Sequence, residues 1–234
     1  SPTTPIVYDP DYEADSQRDE NMAVPIRVVV VDDQPAMLTS LTRMLGRVPV
    51  LECVGEGHDG FDAIRLVETL DPDVMLIDLL MPKMNGIEAI RRIAAMGPRP
   101  RLIALTTLSD DQTFADALQA GAAGFLLKAS TVGEIVHAVQ VVHAGEAMLS
   151  PQLVTRLVAR YTQQAAVDIS GLGASDVALL RLVGQGLSNE EIAQQRHLSP
   201  ATVKSYLSRL LAKTGCRDRA QLVILAYRSG VAEL

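Results

Sequence analysis

Two apolar runs that end in aspartate decide the fold of this chain: VVVVDD at residues 28–33 and VMLID at residues 74–78. A short run of aliphatic residues without alternation is typical of a strand that is buried on both faces. Two such strands in one parallel sheet would bring Asp32, Asp33 and Asp78 to a single edge. Open α/β sheets place their ligands at that edge, beyond the carboxyl ends of the strands.

The same pattern continues on both sides of these runs. From Pro25 onward, strand-like runs alternate with stretches of helical periodicity. We predict strands at 27–31, 51–55, 74–77, 101–105 and 124–127, and helices near 36–47, 59–70, 86–96, 111–120 and 131–144. This alternation favours a doubly wound α/β fold, in which a five-stranded parallel sheet has helices on both faces.

The C-terminal part gives helical signals only. Ser188 and Glu191 have the spacing of a capping box, which predicts a helix to about residue 196. Ser199 followed by Pro200 predicts the start of a second helix, and Gly215 its end. With further helices predicted over 151–164, 175–183 and 218–229, this part is expected to be an all-α domain.

Charge and cysteine content narrow the classes of function. The net charge is −7, yet residues 146–234 hold ten basic and seven acidic residues, whereas residues 25–145 hold ten basic and fifteen acidic ones. Nucleic acid is therefore expected at the C-terminal part. The two cysteines, far apart in sequence, indicate free thiols in a reducing compartment. No apolar run is long enough to span a bilayer, so we expect a cytoplasmic protein without membrane contact.

The three aspartates at one edge have a chemical consequence. Carboxylates at short range raise one another's pKa unless a cation lies between them, and Mg²⁺ prefers oxygen ligands of this kind. Taken alone, Asp32 or Asp33 fits a helix N-cap equally well. Asp78 does not, because the next predicted helix begins only near Gly86.

Four motifs together resemble the receiver domain of two-component response regulators: VVVVDDQP, LIDLLMPKMNG, LIALTTLSDD and GAAGFLLKA, spread over about residues 26–145. The resemblance implies that Asp78 is the phosphoacceptor. It also implies that Mg²⁺ is held by Asp32, Asp33, Asp78 and the backbone carbonyl of Leu80.

The same resemblance implies roles for three further residues. Lys128 and Thr106 would bind the phosphoryl oxygens. Taken alone, a lysine at this position is more often a solvated surface residue, and a threonine is more often a strand-end residue whose hydroxyl bonds to the backbone. Phe125 occupies the position of the family's aromatic switch, but a ring at this place fits static core packing just as well.

The stretch LSNEEIAQQRHLSPATVKSYLSRLLAKTGCRDRAQLV at residues 187–223 resembles the LuxR-type helix-turn-helix, as joined to receivers in the NarL/FixJ group. Helical spacing places Val203, Tyr206, Leu207, Leu210 and Leu211 on one face. The resemblance assigns DNA contacts on the other face to Thr202, Lys204, Ser205, Ser208, Arg209 and Lys213. For Arg217 and Arg219, phosphate contact and ordinary solvation are equally good readings.

These features lead to one expected function. The chain would be a DNA-binding transcription regulator, not an enzyme, that a sensor histidine kinase activates by phosphorylating Asp78. It would then bind double-stranded operator DNA as a homodimer. The expected divisions are an acidic tail at 1–24, a receiver domain at 25–145, a linker with a helix at 146–170 and a DNA-binding domain at 171–234.

Two alternatives stay open at this point. The first is a regulator of the same fold that works without phosphorylation. The second is a Mg²⁺-dependent phosphohydrolase with an aspartate nucleophile, which the adjacent pair Asp32-Asp33 disfavours because such enzymes usually have Asp-x-Asp after the first strand.

Overall fold

The structure is a computed structural model that describes residues 24–107, 111–148 and 167–232. The strands are β1 (Ile26–Val31), β2 (Leu51–Gly57), β3 (Val74–Asp78), β4 (Arg101–Thr106) and β5 (Gly124–Leu127). The first five helices are α1 (Pro35–Leu45), α2 (Gly60–Leu70), α3 (Gly86–Met96), α4 (Asp111–Ala120) and α5 (Val132–His143). They are followed by α6 (Ala174–Gly184), α7 (Asn189–Arg196), α8 (Pro200–Thr214) and α9 (Arg219–Arg228).

The predicted elements are confirmed wherever the structure describes the chain, and their ends agree to within two residues. The helix predicted over 151–164 and nearly all of the acidic tail lie outside the described residues. In the part of the chain that is described, no helix has both the length and the apolar character needed to cross a bilayer.

The sheet has five parallel strands in the order β2-β1-β3-β4-β5. The chain starts in the middle and winds outward in both directions, which confirms the doubly wound fold. Val31 pairs with Ile77, Asp78 pairs with Leu105, and Thr106 pairs with Leu127. The carboxyl ends of β1, β3, β4 and β5 therefore lie side by side.

Residues of β1 and β3 are buried on both faces, as their uninterrupted apolar runs predict. Val29 and Val31 pack into a core with residues of α2, α3 and α4. Val28 and Val30 pack into a second core with residues of α1 and α5. Alternate residues of one strand thus fill two separate cores, and the sheet becomes the rigid layer that holds the edge residues in place.

Helices α6 to α9 form a separate small core. Its buried members are contributed by all four helices: Leu179, Leu180, Val183, Ile192, Ala193, Val203, Leu207, Leu210, Leu222, Val223 and Ala226. The Ser199 side chain caps α8 by accepting a hydrogen bond from the Thr202 amide, and Gly215 ends this helix with a φ of 68°. The predicted apolar face of α8 therefore packs inward, and its polar face points away from this core.

Candidate functional site: an acidic sheet edge and an exposed polar helix

The structure brings the three aspartates together at the carboxyl edge of the sheet. Asp32 and Asp33 directly follow β1, and Asp78 is the last residue of the neighbouring strand β3. One carboxylate oxygen from each residue lies within 4.8 Å of the other two. Asp32 and Asp78 are buried. Neither Asp32 nor Asp33 is the N-cap of α1, since that position belongs to Gln34.

Lys128 lies between two of these carboxylates. Its Nζ is 2.6 Å from Asp32 Oδ2 and 2.9 Å from Asp78 Oδ2, and its side chain is only 6% exposed. Burial raises the pKa of Asp78 even though Lys128 acts in the opposite direction. Burial alone would lower the pKa of Lys128, but its close contacts with the Asp32 and Asp78 carboxylates raise it overall. The lysine is therefore a fixed positive charge beside Asp78.

The loop after β3 shapes the surroundings of Asp78. The Leu80 amide donates to Asp78 Oδ1 at 3.2 Å, while the Leu80 side chain is 71% exposed. The Gly86 amide donates to the Leu79 carbonyl, and a Cβ at Gly86 would lie 2.0 Å from the Asp78 carbonyl oxygen. Only glycine fits this close backbone approach. The sequence alone did not predict this role for Gly86, although a glycine between Asn85 and a predicted helix was a local signal for it.

Carboxylate oxygens at this edge are suited to a divalent cation. Asp33 Oδ1 is buried and has no hydrogen-bond partner among the described residues. Asp32 Oδ2 touches Lys128 as an ion pair without hydrogen-bond geometry. A buried carboxylate oxygen without a donor is costly, and a hard cation is the group that satisfies it best. The three aspartates therefore fit an oxygen-coordinated metal ion.

Thr106 lies on β4, the strand next to Asp78, and Phe125 lies on β5, one strand further out. Thr106 is buried at the end of β4, and its carbonyl accepts from the Lys128 amide at 2.9 Å. Phe125 lies on β5, and its ring meets that of Phe114 on α4 edge to face, with the centroids 4.9 Å apart. Strand pairing thus places Thr106 beside the acidic edge. The ring contact connects Phe125 with α4.

The residues that the resemblance assigned to DNA lie mostly on the exposed face of α8. Lys204, Ser205, Ser208, Arg209 and Lys213 are exposed, and Thr202 is half-buried. Lys213 forms an ion pair of 2.6 Å with Asp176 on α6. The Arg209 guanidinium lies 4.6 Å from the centre of the Tyr206 ring. The face of α8 is therefore polar and basic, as a helix that enters a major groove requires.

Arg217 and Arg219 are not solvated charges in this structure. The Arg217 guanidinium hydrogen-bonds to backbone carbonyls of the α/β part. Arg219 is buried, pairs with Glu146 at 3.2 Å and donates to Asn189 Oδ1. Phosphate contact and ordinary solvation were the two interpretations from the sequence. Neither predicted that both arginines lie between the two parts of the chain.

The first part of the chain is a doubly wound sheet with aspartates and a lysine at one edge, and the second part is a four-helix unit in which α8 has an exposed polar face. This combination defines a receiver-type regulator with a helix-turn-helix. Comparisons with known proteins agree. Residues 28–140 match the response regulator receiver domain, and residues 172–226 match the bacterial regulatory proteins of the luxR family.

Relatives align along both parts. The transcriptional regulatory protein LiaR of Bacillus subtilis is 32% identical over 206 residues, which cover 87% of this chain and 98% of LiaR. The DNA-binding transcriptional activator DevR/DosR of Mycobacterium tuberculosis is 36% identical over 203 residues, or 86% and 94% of the two chains. The structure of the RcsB–DNA complex superposes with a TM-score of 0.52 at 25% identity, covering 87% and 97%. The chain belongs to the response regulators that join a receiver domain to a LuxR-type DNA-binding domain, and it is a transcription regulator.

Proposed function

We propose that this regulator is activated when Asp78 accepts a phosphoryl group from a sensor histidine kinase. One observation carries the proposal: the Asp78 carboxylate lies at the carboxyl edge of the sheet, 2.9 Å from a buried lysine and close to two further carboxylates. A nucleophilic carboxylate, a fixed cation and a set of metal ligands are the parts that phosphoryl transfer to aspartate requires.

The chemistry follows from these positions. An Asp78 carboxylate oxygen forms a bond to phosphorus while the bond from phosphorus to the kinase histidine breaks. Mg²⁺, held by Asp32, Asp33, Asp78 and the Leu80 carbonyl, would supply charge compensation for the phosphoryl oxygens. Lys128 adds a second positive charge, and the Thr106 hydroxyl donates to a phosphoryl oxygen. No general base is needed, because the carboxylate is already ionised when it attacks.

The surface around Asp78 suits a protein phosphodonor. Leu80 and Leu127 flank the site, and their side chains are 71% and 48% exposed. Exposed apolar residues beside a buried nucleophile are available for contact with a partner protein. We propose that the kinase docks here. The reducing setting inferred from two free cysteines fits a cytoplasmic encounter.

The output belongs to the helix-turn-helix. We propose that Lys204, Ser205 and Ser208 meet base edges, while Thr202, Arg209 and Lys213 hold the DNA backbone. Two copies would bind two half-sites of one operator. The proposed division is a tail at 1–24, a receiver at 25–145, a linker at 146–170 and the DNA-binding domain at 171–234.

The signal would pass between the two parts through packing. Once phosphate is bound, Thr106 moves toward it, and the Phe125 ring follows into the vacated space. Phe125 touches Phe114 on α4, so α4 shifts as well. For this to alter DNA binding, the phosphoryl group must bind more favourably to the shifted conformation than to the present one. The protein therefore acts as a switch and not as a turnover enzyme.

The test is phosphorylation of the full chain by acetyl phosphate in Mg²⁺, followed on a phosphate-affinity gel. We expect a shifted band that Asp78→Asn abolishes. The matched control is Asp73→Asn, which directly precedes β3 at the end of the strand opposite Asp78 and should label like the wild type. Labelling that survives in Asp78→Asn would place the nucleophile elsewhere. Continuous phosphate release from small phosphomonoesters would instead favour the phosphohydrolase.

A further inference from the structure

The turn between α8 and α9 makes polar contact with the receiver domain through one arginine. Arg217 Nε donates to the Gly97 carbonyl at 3.1 Å, and its terminal nitrogens donate to the carbonyls of Pro100 and, at 3.5 Å, of Gly121. In return, Arg101 of the receiver donates to the Arg217 carbonyl at 2.8 Å. One side chain thus ties the DNA-binding domain to two separate turns of the receiver.

Helix α9 extends this contact onto α4. Gln221 Nε2 donates to the Leu118 carbonyl at 2.7 Å. Ala220 and Ile224 pack against Ala115 and Leu118 in an apolar cluster that is distinct from the core of the DNA-binding domain. Ile224 is therefore covered by the receiver and not by its own domain, and separation of the domains would expose it.

The same cluster reaches the proposed switch. Phe114 and Phe125 pack against the cluster of Ala115, Leu118, Ala220 and Ile224. A movement of the Phe125 ring therefore acts on α4 at the place where α9 rests. This is a contiguous packed route from β5, which carries Phe125, to the DNA-binding domain.

The contact also has a free-energy cost, because it buries the Arg217 guanidinium beside receiver carbonyls without a carboxylate partner among the described residues. Within the described ranges, no carboxylate forms an ion pair or hydrogen bond with Arg217, and burial lowers the pKa of Arg217 to about 10. Asp218, next to it, is 1% exposed, and its Oδ2 has no hydrogen-bond partner among the described residues. Separation would hydrate both groups and return part of this cost.

The contact limits access to the DNA-reading helix. Ser208 and Ala212 of α8 line a cleft of about 460 Å³ whose opposite wall includes Gly97 and Pro98 of the receiver. A duplex is far too wide for this cleft, since even its major groove is about 12 Å across. The C-terminal half of α8, which begins near Ser208, can therefore enter a groove only after the receiver has moved away.

We propose that Arg217 is the latch of an interdomain contact that holds α9 and the C-terminal half of α8 against the receiver. Its role in DNA control rests on the proposed function, but its role in domain contact does not. Arg217 acts as a positioning residue, not as a ligand of DNA. The carbonyls of Gly97, Pro100 and Gly121 accept its hydrogen bonds.

Linkage makes the proposal quantitative. If the latch favours the receiver conformation without phosphate, its loss must favour both DNA binding and binding of a phosphoryl mimic, because coupling between two binding sites is reciprocal. Coupling free energies of this kind usually change affinity by about 5- to 150-fold. We expect Arg217→Ala to tighten DNA binding within that range in the absence of phosphodonor, and to tighten beryllofluoride binding in Mg²⁺ as well.

The experiment uses the full chain and a DNA duplex selected from a random library by the wild type treated with acetyl phosphate. DNA affinity without phosphodonor is measured by fluorescence anisotropy, and amide hydrogen exchange is measured at Gly97, Arg99 and Arg101 (residues 98 and 100 are prolines) and in α4. The matched control is Arg181→Ala, which removes the same charge from the same domain. Among the described residues, the Arg181 side chain donates to the Val231 carbonyl of its own domain and to no receiver residue. Gln221→Ala is a milder second variant that tests the same contact.

The latch predicts tighter DNA binding and faster exchange at these amides and in α4 in Arg217→Ala, a smaller change of the same sign in Gln221→Ala, and neither change in Arg181→Ala. Weaker DNA binding in Arg217→Ala would overturn the proposal and make Arg217 a phosphate ligand. Unchanged exchange, or faster exchange with unchanged affinity, would overturn it too. If Arg217→Ala behaves as expected but acetyl phosphate does not alter the wild type, the latch stands and the proposed activation fails.

Discussion

Replacing Lys128 with methionine tests whether the lysine charge compensates the buried carboxylates of Asp32 and Asp78. Methionine keeps the apolar stem of the side chain and removes its charge. Lys128 Nζ lies 2.6 Å and 2.9 Å from two buried carboxylates. Without it, Asp32 and Asp78 face each other with no cation between them. Breaking a buried pair by removing one partner costs about 3–5 kcal/mol, because a desolvated charge is left unpaired.

We expect a loss near the lower end, about 3 kcal/mol in the free energy of unfolding, because Asp33 beside the pair is only half-buried. The assay is urea unfolding at neutral pH in EDTA. Added Mg²⁺ should recover much of the loss, because the ion supplies the missing positive charge and binds only the folded chain.

Lys83→Met is the matched control. Lys83 Nζ is also 2.6 Å from a carboxylate oxygen, that of Asp59, but its side chain is 70% exposed. Water screens this pair, so the control should lose little stability and should not respond specifically to Mg²⁺. Equal losses in the two variants, or a Lys128 variant that Mg²⁺ leaves unchanged, would refute the electrostatic account of the edge.

Two further predictions concern the loop after β3 and the DNA-reading helix. Gly86→Ala should lower the free energy of unfolding by about 1–3 kcal/mol or more and slow labelling of Asp78, because its Cβ would lie 2.0 Å from a backbone oxygen. Gly133→Ala is the control, since its Cβ would have open space, and it should raise the free energy of unfolding by up to about 1 kcal/mol. Equal stability of the two variants in urea would contradict the close approach at Gly86. Lys204→Ala should weaken binding to the selected duplex by about 1–3 kcal/mol and relax its sequence preference, whereas Lys213→Ala should reduce mainly the salt dependence. Unchanged anisotropy curves for Lys204→Ala would remove it from the interface.

The sheet could be predicted because its signals are local. The uninterrupted run Val28–Val31 requires burial on both faces, and only a central strand offers that. Once β1 and β3 are parallel neighbours, Asp32, Asp33 and Asp78 must meet at one edge. Lys128 was placed at the same edge by resemblance, but its 2.6 Å contact with Asp32 depends on the paired ends of β3, β4 and β5 and has no local signal.

The interdomain contact could not be predicted from the sequence. Arg217 binds the carbonyls of Gly97, Pro100 and Gly121, which lie 96 to 120 residues away along the chain. Backbone carbonyls are the same in every residue type, so no sequence pattern marks them as a receptor. An arginine at the end of a basic helix looks like a phosphate ligand until the fold shows what surrounds it.

The central claim is that a phosphoryl group on Asp78 controls DNA binding. The most direct measurement is the affinity of the full chain for the selected duplex with and without acetyl phosphate, in the wild type and in Asp78→Asn. We expect the phosphodonor to tighten binding in the wild type and to leave Asp78→Asn unchanged. Equal tightening in both proteins, or none in a wild type that is demonstrably phosphorylated, would contradict the account.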